Sequence, residues 1–180
     1  MKTVLKSFTV TVVAAVILIH NANAQSILGG SSANDALSFS TSAIDNTTGE
    51  QKDNNALSGI PPRAVKDFEK SFKGITSEHW SRLDDGYIAT FTADSVQTMI
   101  AYNRKGTWHH TIRSYGEKKL PRKIRDIVKS VYYDYTIVSV AEVYFDYQPI
   151  YIVYIQDETH LKTLGVYEGE MQEVRNYKRG

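Results

Sequence analysis

The chain has 180 residues, with 21 Lys and Arg against 20 Asp and Glu, a formal net charge of +1, and no cysteine. Such a balance gives nucleic acid or an anionic membrane no global attraction, since either favours a basic excess. The lack of cysteine excludes a disulfide framework and a lipid anchor on cysteine, so a folded part must be held by its core.

The first residues read as an address. Lys2 and Lys6 make a positive start, Phe8 to Ile19 an apolar run broken only by Thr9 and Thr11, and Ala22-Asn23-Ala24 a small-x-small cleavage site. Residues 1–24 are therefore expected to be a signal peptide, its apolar run shorter than the roughly 20 residues of a comfortable membrane span. No transmembrane segment is expected after cleavage. The mature chain, without Lys2 and Lys6, keeps 19 basic and 20 acidic residues, a net charge of −1.

Residues 25–59 are rich in Ser, Asn, Asp, Thr and Gly, and their few apolar residues keep no period. They cannot bury enough apolar surface to offset their ordering entropy and are expected to form a disordered tether. Asn46-Thr47-Thr48 matches the glycosylation sequon, a match that so Asn- and Thr-rich a tract supplies by chance.

Residues 60–180 are expected to fold. Pro62-Arg-Ala-Val-Lys-Asp-Phe-Glu-Lys-Ser71 returns as Pro121-Arg-Lys-Ile-Arg-Asp-Ile-Val-Lys-Ser130, which argues for duplication into repeats 60–118 and 119–180. Val65, Phe68 and Phe72 in the first copy, and Ile124, Ile127, Val128 and Val131 in the second, fall at helical spacing after a proline start. Each copy is thus expected to open with an amphipathic helix.

After each helix the apolar period changes to two. The first copy predicts strands near Ser77 to Leu83, Tyr87 to Ala93, Gln97 to Tyr102 and Trp108 to Tyr115. The second predicts Ile137 to Phe145, Ile150 to Ile155, Leu161 to Tyr167 and Met171 to Tyr177. Hairpin-length turns between them mean antiparallel meanders. The expected architecture is α+β: two tandem helix-plus-antiparallel-sheet (αββββ) repeats, with the helices packed on one face of the sheet and the other face open.

The spacing Ile60-Pro-Pro-x-x-Val65-x-x-x-Phe-x-x-x-Phe72-x-Gly74, then His79-Trp80, Asp85-Gly86-Tyr87 and Asn103-x-x-Gly106-x-Trp108, resembles one repeat of the secreted PepSY-like, or β-lactamase-inhibitor-like, proteins. Leu120-Pro121, Val138 to Tyr144 and Val166-Tyr-Glu-Gly169 resemble the second repeat. The resemblance covers Ile60 to Tyr177 and implies a fold of two helix-plus-sheet repeats, export from the cytoplasm, and no catalytic residues. The turn Asn103-Arg104-Lys105-Gly106 departs from the family's acidic turn, and the second repeat lacks its helix stop.

Nothing in the residues themselves calls for catalysis or a cofactor. There is no Gly-x-Ser-x-Gly elbow and no cysteine nucleophile, and Asp84-Asp85 before Gly86 is turn chemistry. His109 and His110 are strand neighbours expected to point to opposite faces, and His79 and His160 have no ligand spacing, so no metal site is expected. The basic run Lys118, Lys119, Arg122, Lys123, Arg125 and Lys129 reads as a solvated face; an anionic partner of an exported protein would be an acidic protein or a polysaccharide.

Tyrosines crowd the second copy, and tyrosine is enriched at recognition surfaces because its ring packs while its hydroxyl stays bonded. Trp108, Tyr144, Tyr147 and Tyr151 are the candidate protein-binding residues. The expected function is a periplasmic or secreted non-enzymatic module that grips an unknown protein or peptide with an open sheet face, as an inhibitor in one version. The alternative is an envelope sensor or structural component for a small ligand or ion. No nucleic-acid partner is expected.

Overall fold

The computed structural model describes residues 58–145 and 148–179. The expected signal peptide and all of the tether but Ser58 and Gly59 lie outside the described residues.

Two ten-residue α-helices, α1 (Pro62–Ser71) and α2 (Arg122–Val131), each precede four strands. The strands are β1 (His79–Arg82), β2 (Gly86–Ala93), β3 (Val96–Asn103) and β4 (Trp108–Tyr115), then β5 (Thr136–Tyr144), β6 (Ile150–Gln156), β7 (His160–Tyr167) and β8 (Glu170–Lys178). A short 3-10 helix, Glu117–Lys119, leads into α2. Each helix follows a proline, Pro61 or Pro121, whose missing N–H costs the first turn nothing. Each ends where Phe72 or Tyr132 leaves helical geometry while its N–H still reaches back to Phe68 or Val128.

The expectation of two tandem αββββ repeats in an α+β fold is corrected by the sheet. All eight strands form one continuous antiparallel sheet in chain order, and strand residues outnumber helical ones about three to one. The joint is the β4–β5 ladder, running from Thr111↔Tyr144 to Tyr115↔Val140. Two separate four-stranded units would expose β4 and β5 as edges, with unpaired N–H and C=O groups open to other chains. Pairing them leaves only β1 and β8 as edges. The 3-10 helix and α2 form the connection between these two neighbours, which along the chain looks like a boundary between units.

Cross-strand register assigns the faces. Trp80, Ala89 and Ile100 share a row, continued by Thr111 and Tyr144. Phe68 of α1 seats on this face against Trp80 and Phe91, at 5.6 and 5.8 Å between ring centres in edge-on geometry. Burying one such ring is worth about 2–3 kcal/mol. Tyr102 donates from its hydroxyl to Asp67 at 3.1 Å and so ties β3 to α1.

Ile124 and Val128 of α2 pack on Tyr115, Val140, Val153, Ile155, Leu164 and Val166 of the same face. Lys162 closes the far end of α2, with its ammonium over the rings of Tyr132 and Tyr135 and 2.6 Å from Glu173. The opposite face carries Met99, Ile112, Val143 and Ile150 in one row.

Candidate protein-binding site

Between the two helix-covered cores the floor of the sheet is polar. β4 and β5 set Arg113 opposite Glu142, and β6 sets Tyr151 on the other side of Glu142. Tyr115 and Tyr144 stand two residues along on the same face, because side chains alternate along a strand. Arg113 and the three tyrosines meet at the Glu142 carboxylate.

Glu142 is 5% exposed and is the single charged residue of its strand, flanked by Ala141 and Val143. Burying a carboxylate costs several kcal/mol unless its lone pairs are met. Here Oε1 accepts from Tyr144 Oη at 2.6 Å and Tyr151 Oη at 3.2 Å. Oε2 accepts from Tyr115 Oη at 3.0 Å and from Arg113 Nη1 at 3.3 Å. Four donors, one of them cationic, hold the charge.

The tyrosines record the same arrangement from their side. Burial first, then the Glu142 charge and its hydrogen bond, push Tyr115 well above the usual phenol range and Tyr151 up to about 12, while Arg113 opposes both shifts. Burial and the hydrogen bond to Glu142 also raise Tyr144. These hydroxyls therefore stay protonated and donating. Arg113 is the open side of the cluster, with 42% of its side chain exposed.

Trp108 extends the row toward the end of the sheet. Its Nε1 donates to Thr111 Oγ1 at 2.9 Å, and Thr111 is the cross-strand partner of Tyr144. The indole is 37% exposed, one of the few large hydrophobic side chains left open. The turn before it is fixed by Gly106, at φ 73°, where an added Cβ would lie 2.8 Å from Pro61 and 3.0 Å from the Ala64 backbone nitrogen. Only glycine lets that turn close on the start of α1.

The bulge between Ala101 and Tyr102 makes His109 the extra residue in its ladder, and the expectation for the histidine pair is corrected there. Nδ1 of His109 lies 2.8 Å from Nδ1 of His110, so the rings meet instead of pointing to opposite faces. Phe145 packs on His110 with ring centres 5.3 Å apart. Burial, then the neighbouring His109, lower the His110 pKa. Among the described residues no group of three or more His, Asp or Glu could hold a metal ion.

Of the four candidate residues, Trp108, Tyr144 and Tyr151 come together on the helix-bearing face, and Tyr147 lies outside the described residues. Glu142, Arg113 and Tyr115 were not singled out from the sequence. The signal was a lone acid in the apolar run Val138-Ser-Val-Ala-Glu-Val143, whose period of two puts it on the face of Val140.

A one-sheet fold with two helices on one face and a tyrosine-caged carboxylate between them defines a scaffold with a polar, aromatic centre. It is the fold of the BLIP-like proteins. A BLIP-like protein of Bacteroides fragilis superposes with a TM-score of 0.54 at 17% identity, covering 67% of this chain and 89% of that one. A DUF2874 family protein of Bacteroides ovatus gives 0.53 at 19% identity, over 64% and 88%. A protein of Bacteroides eggerthii provisionally assigned to the periplasm gives 0.53 at 16% identity, over 66% and 88%. At such identities the likeness shows the fold alone. No protein-family profile matches the sequence, and no curated protein matches it. Among the described residues no helix is long and apolar enough to cross a membrane.

Proposed function

We propose that the chain is an exported, non-enzymatic binding module that grips a protein or peptide partner through Trp108, Arg113, Tyr144 and Tyr151. The observation that carries this reading is their convergence: Arg113, Tyr144 and Tyr151 sit around one buried carboxylate, Trp108 joins them through Thr111, the cross-strand partner of Tyr144, and Trp108 and Arg113 are open to solvent. Glu142 holds Arg113, Tyr144 and Tyr151, Thr111 holds Trp108, and preorganised side chains lose little entropy on binding. A carboxylate whose lone pairs already take four donors is a poor general base, which favours binding over catalysis.

Export rests on the leader at residues 1–24, with a tether at 25–59 setting the domain off from its surroundings, and a periplasmic or secreted location agrees with the periplasmic assignment of a structural neighbour. Kinship to the PepSY-like proteins completes the proposal. The test is capture from the native periplasm or medium with the exported chain as bait. Trp108→Ala and Arg113→Ala should each weaken a captured complex at least about tenfold. Retention of full affinity by both variants would remove this site.

A further inference from the structure

Net charge hides a separation of charge. Both helices lie on one face of the sheet, since the row under α1 (Trp80, Ala89, Ile100) continues through Thr111 to Tyr144, four residues from Val140 under α2. Their outer sides therefore face the same way. Pro62 to Lys73 and Glu117 to Lys129 carry ten basic and four acidic residues, a net +6, whereas the other described residues carry eight and eleven, a net −3.

The cations on this side are largely uncommitted. Arg63, Lys66 and Lys70 on α1, with Lys118, Lys119 and Lys123 at the approach to α2, are exposed and form no ion pair among the described residues. Three of the four acids are engaged, Asp67 by Tyr102, Glu117 by Arg125 at 2.7 Å and Asp126 by Arg122 at 3.7 Å. At the end of α2 stand two exposed large side chains, Val131 at 59% and Tyr133 at 80%.

We propose that this helix-bearing side binds the surface of an anionic phospholipid bilayer. Clusters of about four to eight Lys and Arg are drawn to anionic leaflets. A bilayer meets both features: its headgroups take a broad array of cations, and the layer beneath them takes the valine and tyrosine at the end of α2, which a polysaccharide or acidic protein does not require. The binding surface is the outside of the helices, distinct from the Trp108 row on the sheet floor at the end of β4 and β5, and it does not depend on that row's function.

The experiment is co-sedimentation of the exported chain with vesicles of phosphatidylcholine, with or without about 30% phosphatidylglycerol. Binding is expected only with phosphatidylglycerol and should fall at least tenfold between about 0.05 and 0.5 M salt as screening sets in. Lys118→Glu/Lys123→Glu should lower binding more than about tenfold, and Arg82→Glu/Lys178→Glu, the same charge change on the two edge strands, less than about threefold. Tyr133→Ser should weaken binding at high salt more than at low salt, since it removes the apolar part. Equal sedimentation with neutral vesicles, equal effects of the two charge reversals, or heparin binding without vesicle binding would each overturn the proposal.

Discussion

The two halves of the sheet hold their helices by different chemistry. Under α1 the core is aromatic: Phe68, Phe72, Trp80, Phe91 and Tyr102 meet edge-on or stacked, with Ala64 and Ala89 filling the close approaches. Under α2 it is mainly aliphatic: Val128, Val140, Val153, Ile155, Leu164 and Val166 make up most of it, Tyr115 is its one buried ring, and Tyr132, Tyr135 and Tyr151 are only partly buried against it. An aromatic core concentrates stability in a few rings, and an aliphatic one spreads it over many side chains.

The largest expected effect tests that contrast. Phe68→Ala should cost about 3–5 kcal/mol and Val128→Ala about 2 kcal/mol in denaturant unfolding. Because β4 and β5 join the halves, both variants should unfold in one transition with an unchanged denaturant slope. Two transitions in the Phe68 variant would show the halves to be independent.

The next effect lies at the seam. Glu142→Ala takes the acceptor from three buried or half-buried tyrosine hydroxyls and the ion-pair partner from Arg113, and should cost about 2–4 kcal/mol in the same measurement. A loss below about 0.5 kcal/mol would mean that water replaces the carboxylate freely.

A smaller effect is set by alkali. Tyr151 has a folded pKa of about 12 against an ordinary 10.0, so between these values the folded state holds the proton that the unfolded state has lost. Its contribution to stability is complete below pH 10.0 and is lost as pH rises toward about 12. Thermal melts across this window should fall with pH, and Tyr151→Phe should flatten the fall. The smallest effect belongs to Trp108→Ala, which removes a side chain 37% exposed and should shift unfolding by less than about 1 kcal/mol while weakening partner capture.

Local chemistry was legible. Strand ends lie within two residues of the segments marked by the period of two, and both helices sit where their apolar stripes follow a proline. Trp108, Tyr144 and Tyr151 could be named as aromatic candidates, yet nothing along the chain shows that they share a face. That depends on β4 and β5 pairing across the 20-residue connection Gly116 to Tyr135. His109 and His110 show the reverse case, where one extra residue in the β3–β4 ladder overturns the alternation that sequence reading assumes.

The sequence by itself determined the list of elements, the two amphipathic stripes and the cysteine-free reliance on a core, because periodicity and backbone preference act between residues a few positions apart. Tertiary structure alone decided that eight strands make one sheet, that a carboxylate in an apolar strand becomes a tyrosine-caged anchor, and that a balanced charge separates into a basic helix side. Each of these depends on which distant strands pair and on which face a side chain emerges, and strand pairing is a contest among non-local partners that no short window of residues records.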